Sequence, residues 1–364
     1  MRTFRIALTG DFLNQNGGSA YGDIGLDLLE SVPYVKCHFL EDQAPAPNDP
    51  TYWGRQWSLE VTPQHISGVA GLIVLRPWIK RSTFAEGATE LIAIGRSGAG
   101  YDKIDLAACT DNDVAVFNAP FALNHSTASS ALMFMLVLSK RLPQQEKITR
   151  EGRWDLHPSV MGSELVGRTL GIIGLGRSGR ELVTLVAPFA MRIIAYSPHA
   201  EPGQAAAIGV RLASLEEVMR ESDFVSIHAS LRPDTHRLIG ARELSLMKPS
   251  AYLVNIARGE IIDQPALVHV LHEGRIAGAA LDVFEEEPLP KGHPLAEMEN
   301  VVVTPHLSAS TTDVFAATSQ VMAAGMLRAA RGEAPENVLN PQVLESPNFQ
   351  RKLARFAENS APTT

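Results

Sequence analysis

TLGIIGLGRSGRELVTLVAPFA, Thr169–Ala190, decides the fold. A short apolar run ends at Gly174, glycines recur at 176 and 179, and a helix-prone stretch follows at once. Gly174 permits a tight turn after a strand, Gly176 lets backbone approach a pyrophosphate, and Gly179 lets helix and strand pack closely. A helix N-terminus aimed at that point favours negative charge. GxGxxG alone is a weak signal, but between a strand and a helix it predicts dinucleotide binding, with Arg177 and Ser178 in the phosphate turn.

Downstream, the strand ending RIIAY reaches Ser197, followed by Pro198 and His199. An acidic residue there would bind the adenosine ribose of NAD and repel a 2′-phosphate. Ser197 can hydrogen-bond either cofactor, and no Arg or Lys follows closely, so NAD and NADP both stay open. Further apolar segments complete a series: Thr169–Ile173, Met191–Tyr196, Phe224–His228, Ala251–Ile256, Gly278–Val283 and Asn300–Thr304. With helical stretches at Arg180–Phe189, Ser214–Glu221 and Gln264–Glu273 between them, six strands predict a Rossmann-type doubly wound parallel sheet.

Upstream, Arg5–Leu8, Val35–Phe39, Gly71–Leu75, Leu91–Ile94 and Val114–Phe117 read as a second strand series, with helices at Asp23–Ser31 and Phe84–Glu90. Glu41–Ser58, rich in Pro and Asp, suits neither helix nor strand and reads as a long surface excursion or a flap. A helix over Ser126–Arg141 stops before Pro143 and leads into the second series, by way of a linker at Gly152–Ser163. Thr312–Arg331 reads as one long helix returning to the first unit, and the tail after Glu333 as peripheral. The expected organisation is a discontinuous catalytic domain, 1–125 and 310–364, around a dinucleotide-binding domain, 126–309.

The 364 residues are 45% hydrophobic and 20% charged, enough to fill two cores, with a formal net charge of −8. That balance lacks the basic footprint of a nucleic-acid binder. The two cysteines, Cys37 and Cys109, have neither disulfide-framework nor zinc spacing. ALMFMLVL near Ala131 is too short to span a bilayer, and the first residues lack the apolar core of a secretory signal. A cytoplasmic protein without a metal or membrane is expected.

In open α/β sheets, ligands bind beyond the carboxyl ends of the strands. Arg258 follows AYLVNIA, Asp282 and Glu287 lie in LDVFEEEP, and His306 follows VVVTP. A site moving hydride to or from a 2-hydroxy acid needs a proton acceptor, a cation for the carboxylate and a partner for the base. His306 suits the acid/base role, Glu287 orients it, Arg258 clamps the carboxylate and Asp282 suits a cofactor amide. His228 also ends a strand, and spacing does not choose between the two histidines.

These segments together resemble the D-isomer-specific 2-hydroxyacid dehydrogenase family: GLGRSG at 174–179, HASLRPDTHRLI at 228–239, VNIARGEIID at 254–263, LDVFEEEP at 281–288 and TPHLSAST at 304–311. GRSGAGYDKIDL at 95–106 and VFNAP at 116–120 look like the family substrate loop and the segment after it. The resemblance implies Arg258, Glu287 and His306 as the catalytic set. It places Gly174, Gly176, Arg177, Ser178, Gly179, Ser197, His228 and Asp282 at the cofactor, which would be NAD or NADP. Ser97, Gly98 and Ala99 would hold the substrate carboxylate, with Arg76 and Trp78 nearby, against a flavodoxin-like first domain. It also implies a homodimer formed through the cofactor domain and a small 2-hydroxy or 2-keto acid as substrate. Ser308 stands where the family often has glycine, and Ser230 where it often has proline. A 3-phosphoglycerate-specific enzyme, with Lys80 and Arg81 adding charge, and a dinucleotide-sensing interaction protein are the alternatives.

Overall fold

A computed structural model describes residues 1–46 and 49–360. Pro47 and Asn48 of the 41–58 excursion, and the last four residues of the 310–364 segment, lie outside them. The chain divides into residues 1–123 with 311–364, and residues 124–310.

The first unit is built on five parallel strands: β1 (Phe4–Leu8), β2 (Val35–Phe39), β3 (Gly71–Val74), β4 (Ala93–Arg96) and β5 (Ala115–Asn118), in the order β2-β1-β3-β4-β5. This is the flavodoxin-like order. The strands are near-continuous apolar runs because both faces are covered. On one face Ile6, Leu8, Ile73 and Phe117 meet Met322, Met326 and Leu327 of the Thr312–Ala330 helix. On the other, Ala7, Leu72, Val74 and Ile94 meet Val61, Ile66 and Phe84.

Seven parallel strands form the second unit: β6 (Thr169–Ile173), β7 (Arg192–Tyr196), β8 (Val210–Leu212), β9 (Phe224–Ile227), β10 (Tyr252–Asn255), β11 (Gly278–Leu281) and β12 (Val301–Val303). Their order, β8-β7-β6-β9-β10-β11-β12, is Rossmann-type and reverses direction between β6 and β9. Alternate residues feed opposite cores. Leu253 and Leu281 face Leu267 and Leu271, while Val254 and Ala280 face Phe134 and Leu182.

Four expectations are corrected. Phe84–Glu90 is not a helix: a 3-10 turn over Arg81–Phe84 ends there and Gly87 takes φ 80°. The second sheet has a seventh strand, the three-residue edge β8. A helix over Leu142–Arg150 follows the one that ends at Lys140, with Arg141 left-handed between them. Pro143 sits in its first turn, where a missing N–H costs nothing. The tail is not peripheral. Asn340 bonds the backbone of Val114 and Val116, and the Pro347–Ala354 helix buries Phe349 and Leu353 in the first core. Within the excursion, Glu41–Gln43 and Tyr52–Arg55 are single helical turns.

Candidate active site

The turn after β6 lies where the sheet reverses. Gly174 takes φ 96°, and a Cβ there would come within 2.6 Å of the Ala229 nitrogen beyond β9. Gly179 lies so close that its Cβ would meet the Gly174 carbonyl oxygen at 2.5 Å. At Gly176, by contrast, a Cβ would project into open space before the Arg177–Val186 helix, whose N-terminus has no side-chain cap. Open space, uncapped N–H groups and the helix dipole at a switch point fit a dinucleotide pyrophosphate.

His228 braces this turn. Its Nδ1 lies 3.1 Å from Ser178 Oγ and its Nε2 3.0 Å from Ser226 Oγ. Burial pushes its imidazole down to about 4, so it is neutral near pH 7. Both His228 ring nitrogens are engaged by hydroxyls and its charge is suppressed, which suits a bracing role. Ser197 closes a turn directly after β7, its carbonyl accepting from Ala200 N–H at 3.0 Å.

Arg258, Asp282, Glu287 and His306 follow β10, β11 and β12, neighbours in the sheet. His306 Nδ1 lies 2.8 Å from Glu287 Oε2, so the N–H donates to the carboxylate. Glu287 Oε1 accepts the Phe284 N–H at 3.1 Å, which fixes the carboxylate as well. His306 itself takes φ 55°, and its N–H donates to the Asp282 carbonyl at 2.8 Å. The buried Asp282 carboxylate accepts from Thr304 Oγ1 at 2.5 Å and from Leu307 and Ser308 N–H at 3.1 Å. Asp282 thus folds the loop that carries the histidine. A left-handed non-glycine residue costs about 1–3 kcal/mol, and these bonds offset it.

Two residues the sequence did not single out set Arg258. Asn255, fully buried at the end of β10, donates to the Arg258 carbonyl at 2.8 Å and accepts from Ala257 N–H at 3.0 Å. A polar residue ending an apolar strand was the available signal. Gly259 lies against Phe284, and a Cβ there would overlap the Phe284 carbonyl. It lets the arginine loop approach the segment leading to Glu287. The Arg258 guanidinium bonds the Ala257 carbonyl at 2.7 Å.

In the first unit, Arg76 and the Ser97–Ala99 turn follow adjacent strands, β3 and β4. Gly98 takes φ 139°. Among the described residues, the Gly98 and Ala99 N–H groups make no hydrogen bond, and the buried Ser97 hydroxyl has no partner. Three such groups together suit an anion. Arg76 lies 3.7 Å from Asp11 and donates to the Tyr21 hydroxyl at 2.8 Å. Trp78 donates from Nε1 to the Trp57 carbonyl at 3.3 Å.

The family model for the NAD binding domain of D-isomer specific 2-hydroxyacid dehydrogenases matches residues 132–308. A glyoxylate reductase of Korarchaeum cryptofilum is 38% identical over 270 residues, covering 73% of this chain and 81% of that protein. A D-3-phosphoglycerate dehydrogenase of Methanocaldococcus jannaschii is 42% identical over 74% of this chain; the match spans 51% of that protein, about half its length. The crystal structure of a glyoxylate reductase from Paecilomyes thermophila superposes with a TM-score of 0.77 at 25% identity, covering 94% of this chain and 100% of that one. No helix among the described residues is long and apolar enough to cross a membrane. With a relative matched over most of both lengths and a phosphate turn at the sheet reversal, the chain belongs to the D-isomer specific 2-hydroxyacid dehydrogenases, oxidoreductases that use NAD or NADP.

Proposed function

We propose that this chain interconverts a small 2-keto acid and its D-2-hydroxy acid, with His306 as the acid/base. The observation that carries the assignment is the His306–Glu287 bond on a turn held left-handed by Asp282. Gly174, Gly176, Arg177, Ser178, Gly179 and Ser197 would hold the dinucleotide, with His228 bracing Ser178. Asp282 would also face the cofactor amide. When bound, the nicotinamide supplies or accepts the hydride at substrate C2. His306 gives a proton from Nε2 to the keto oxygen during reduction and removes it during oxidation. Glu287 fixes the tautomer that makes Nε2 the reacting nitrogen. Arg258 binds the substrate and polarises its carbonyl, while Ser97, Gly98, Ala99 and Arg76 bind its carboxylate end.

The reading includes a homodimer. Met133 and Leu142 of the second unit are exposed apolar side chains, and with Leu132, Leu136 and Val137 they line a shallow groove. It also includes the cytoplasm, where the free thiols Cys37 and Cys109 suit a reducing compartment.

Oxidation of NADH and of NADPH, followed in parallel against a panel of 2-keto acids, tests the function. Saturable turnover with at least one acid is expected. Tight dinucleotide binding without turnover of any acid would overturn it.

A further inference from the structure

Beside Arg76 the first unit carries a connected run of cation–π contacts. The Arg76 guanidinium lies 5.4 Å from the Tyr21 ring and 5.3 Å from the Trp57 ring. The Lys103 ammonium lies 5.1 Å from the same indole and 5.4 Å from that of Trp78, and it donates to the Trp57 carbonyl at 2.9 Å. Tyr21 in turn stacks on Phe315 at 4.4 Å. Trp57 is therefore the aromatic shared by both cations, and it comes from the end of the 41–58 excursion.

Three buried polar atoms at this end of the unit have no partner among the described residues: Asp11 Oδ1, Tyr52 Oη and Ser97 Oγ. Tyr52, also from the excursion, has its hydroxyl pushed well above the usual phenol range by burial first and by Asp11 and Tyr21 second, with Arg76 and Arg55 opposing. Unpartnered buried groups are costly and mark places where a ligand or water completes the bonding. An arginine that rotates freely loses side-chain entropy when it is fixed, so one already held meets an anion at lower cost.

We infer that Trp57 is a positioning residue for substrate: it holds Arg76 and Lys103 in place beside the Ser97–Ala99 turn, which makes the stretch from Tyr52 to Trp57 part of the substrate site. The inference rests on the proposed 2-keto acid chemistry. It gives a function to a segment that otherwise reads as surface loop.

The test measures kcat, KM for the keto acid and dinucleotide affinity in four proteins: wild type, Trp57→Phe, Trp57→Leu and Trp53→Ala. Trp57→Leu keeps apolar bulk but has no ring face, so it should raise KM about tenfold while kcat and dinucleotide affinity stay near wild type. Trp57→Phe keeps a ring face and should restore most of the loss. Trp53, half exposed on the same excursion and packed on Tyr52, is the control and should change neither constant. Wild-type KM in Trp57→Leu, or equal losses in the Leu and Phe variants, would overturn the role of Trp57 alone. A wild type that turns over no acid would instead overturn the underlying reading, and this role with it.

Discussion

His306 combines a side chain fixed by a carboxylate with a backbone in the left-handed region. A general acid/base typically contributes about 10²–10⁴-fold to rate. His306→Ala should therefore lower kcat by that order while dinucleotide affinity, read by fluorescence titration, stays unchanged. Equal losses in both would instead point to a collapsed loop. Gly259 acts at one remove. An added methyl there would overlap the Phe284 carbonyl, so Gly259→Ala should destabilise by about 1–3 kcal/mol or more. It should also weaken substrate use, because the Arg258 loop and the segment leading to Glu287 must part; denaturation midpoints and KM check the two effects. At this scale the sequence exposed the strand-end groups, since Arg258, Asp282, Glu287 and His306 all follow apolar runs. Gly259 was hidden because its constraint is a backbone 25 positions away. Trp57 was hidden because cation–π partners carry no spacing signature.

Elements were legible where burial was two-sided. Strands such as β6 and β10 are unbroken apolar runs, and their limits lie within a residue or two of those read from sequence. β8 escaped because a three-residue edge strand with an outward Arg211 has no such run. The C-terminal helix escaped because its polar composition masked Phe349 and Leu353, four apart, behind Ser346 and Pro347 at the start. That helix contains Lys352, whose ammonium donates to the carbonyls of Leu91 at 3.0 Å, Asn112 at 2.7 Å and Asp113 at 3.1 Å. Burial pushes the amine down to about 8 from its usual 10.5. Between those values the unfolded chain binds more protons than the folded one, so this group makes stability rise with pH across that window and leaves it flat below. The stability advantage of wild type over Lys352→Met should therefore grow between about pH 8 and pH 10.5. Urea midpoints measured across that range, with a constant or shrinking difference, would contradict this.

For the whole molecule, the apolar face of the second unit carries a prediction about assembly. A stable pair of chains buries about 800 Å² on each partner, centred on apolar groups. Met133→Asp combined with Leu142→Asp should halve the mass seen by sedimentation while leaving the circular dichroism of the chain intact. An undiminished mass would move the interface elsewhere. Parallel strand order in both sheets followed from strand–helix alternation, whereas such a face needs the fold before it can be recognised. Its apolar residues run from 132 to 142, and only exposure separates them from the core.

The core of the first unit is drawn from two stretches of chain with the whole second unit between them. β1 to β5 leave the ribosome early, but Met322, Met326 and Phe349, which cover one face of that sheet, follow only after residues 124–310. At about 5–20 residues per second, those 187 positions delay the covering by roughly 10 to 40 s. For that interval the nascent sheet has one bare apolar face, whereas the uninterrupted second unit can close as soon as β12 is made. The first-born sheet of that core is thus where a nascent-chain chaperone would be needed most, and a stalled or shortened chain would betray itself by aggregating through β1 to β5.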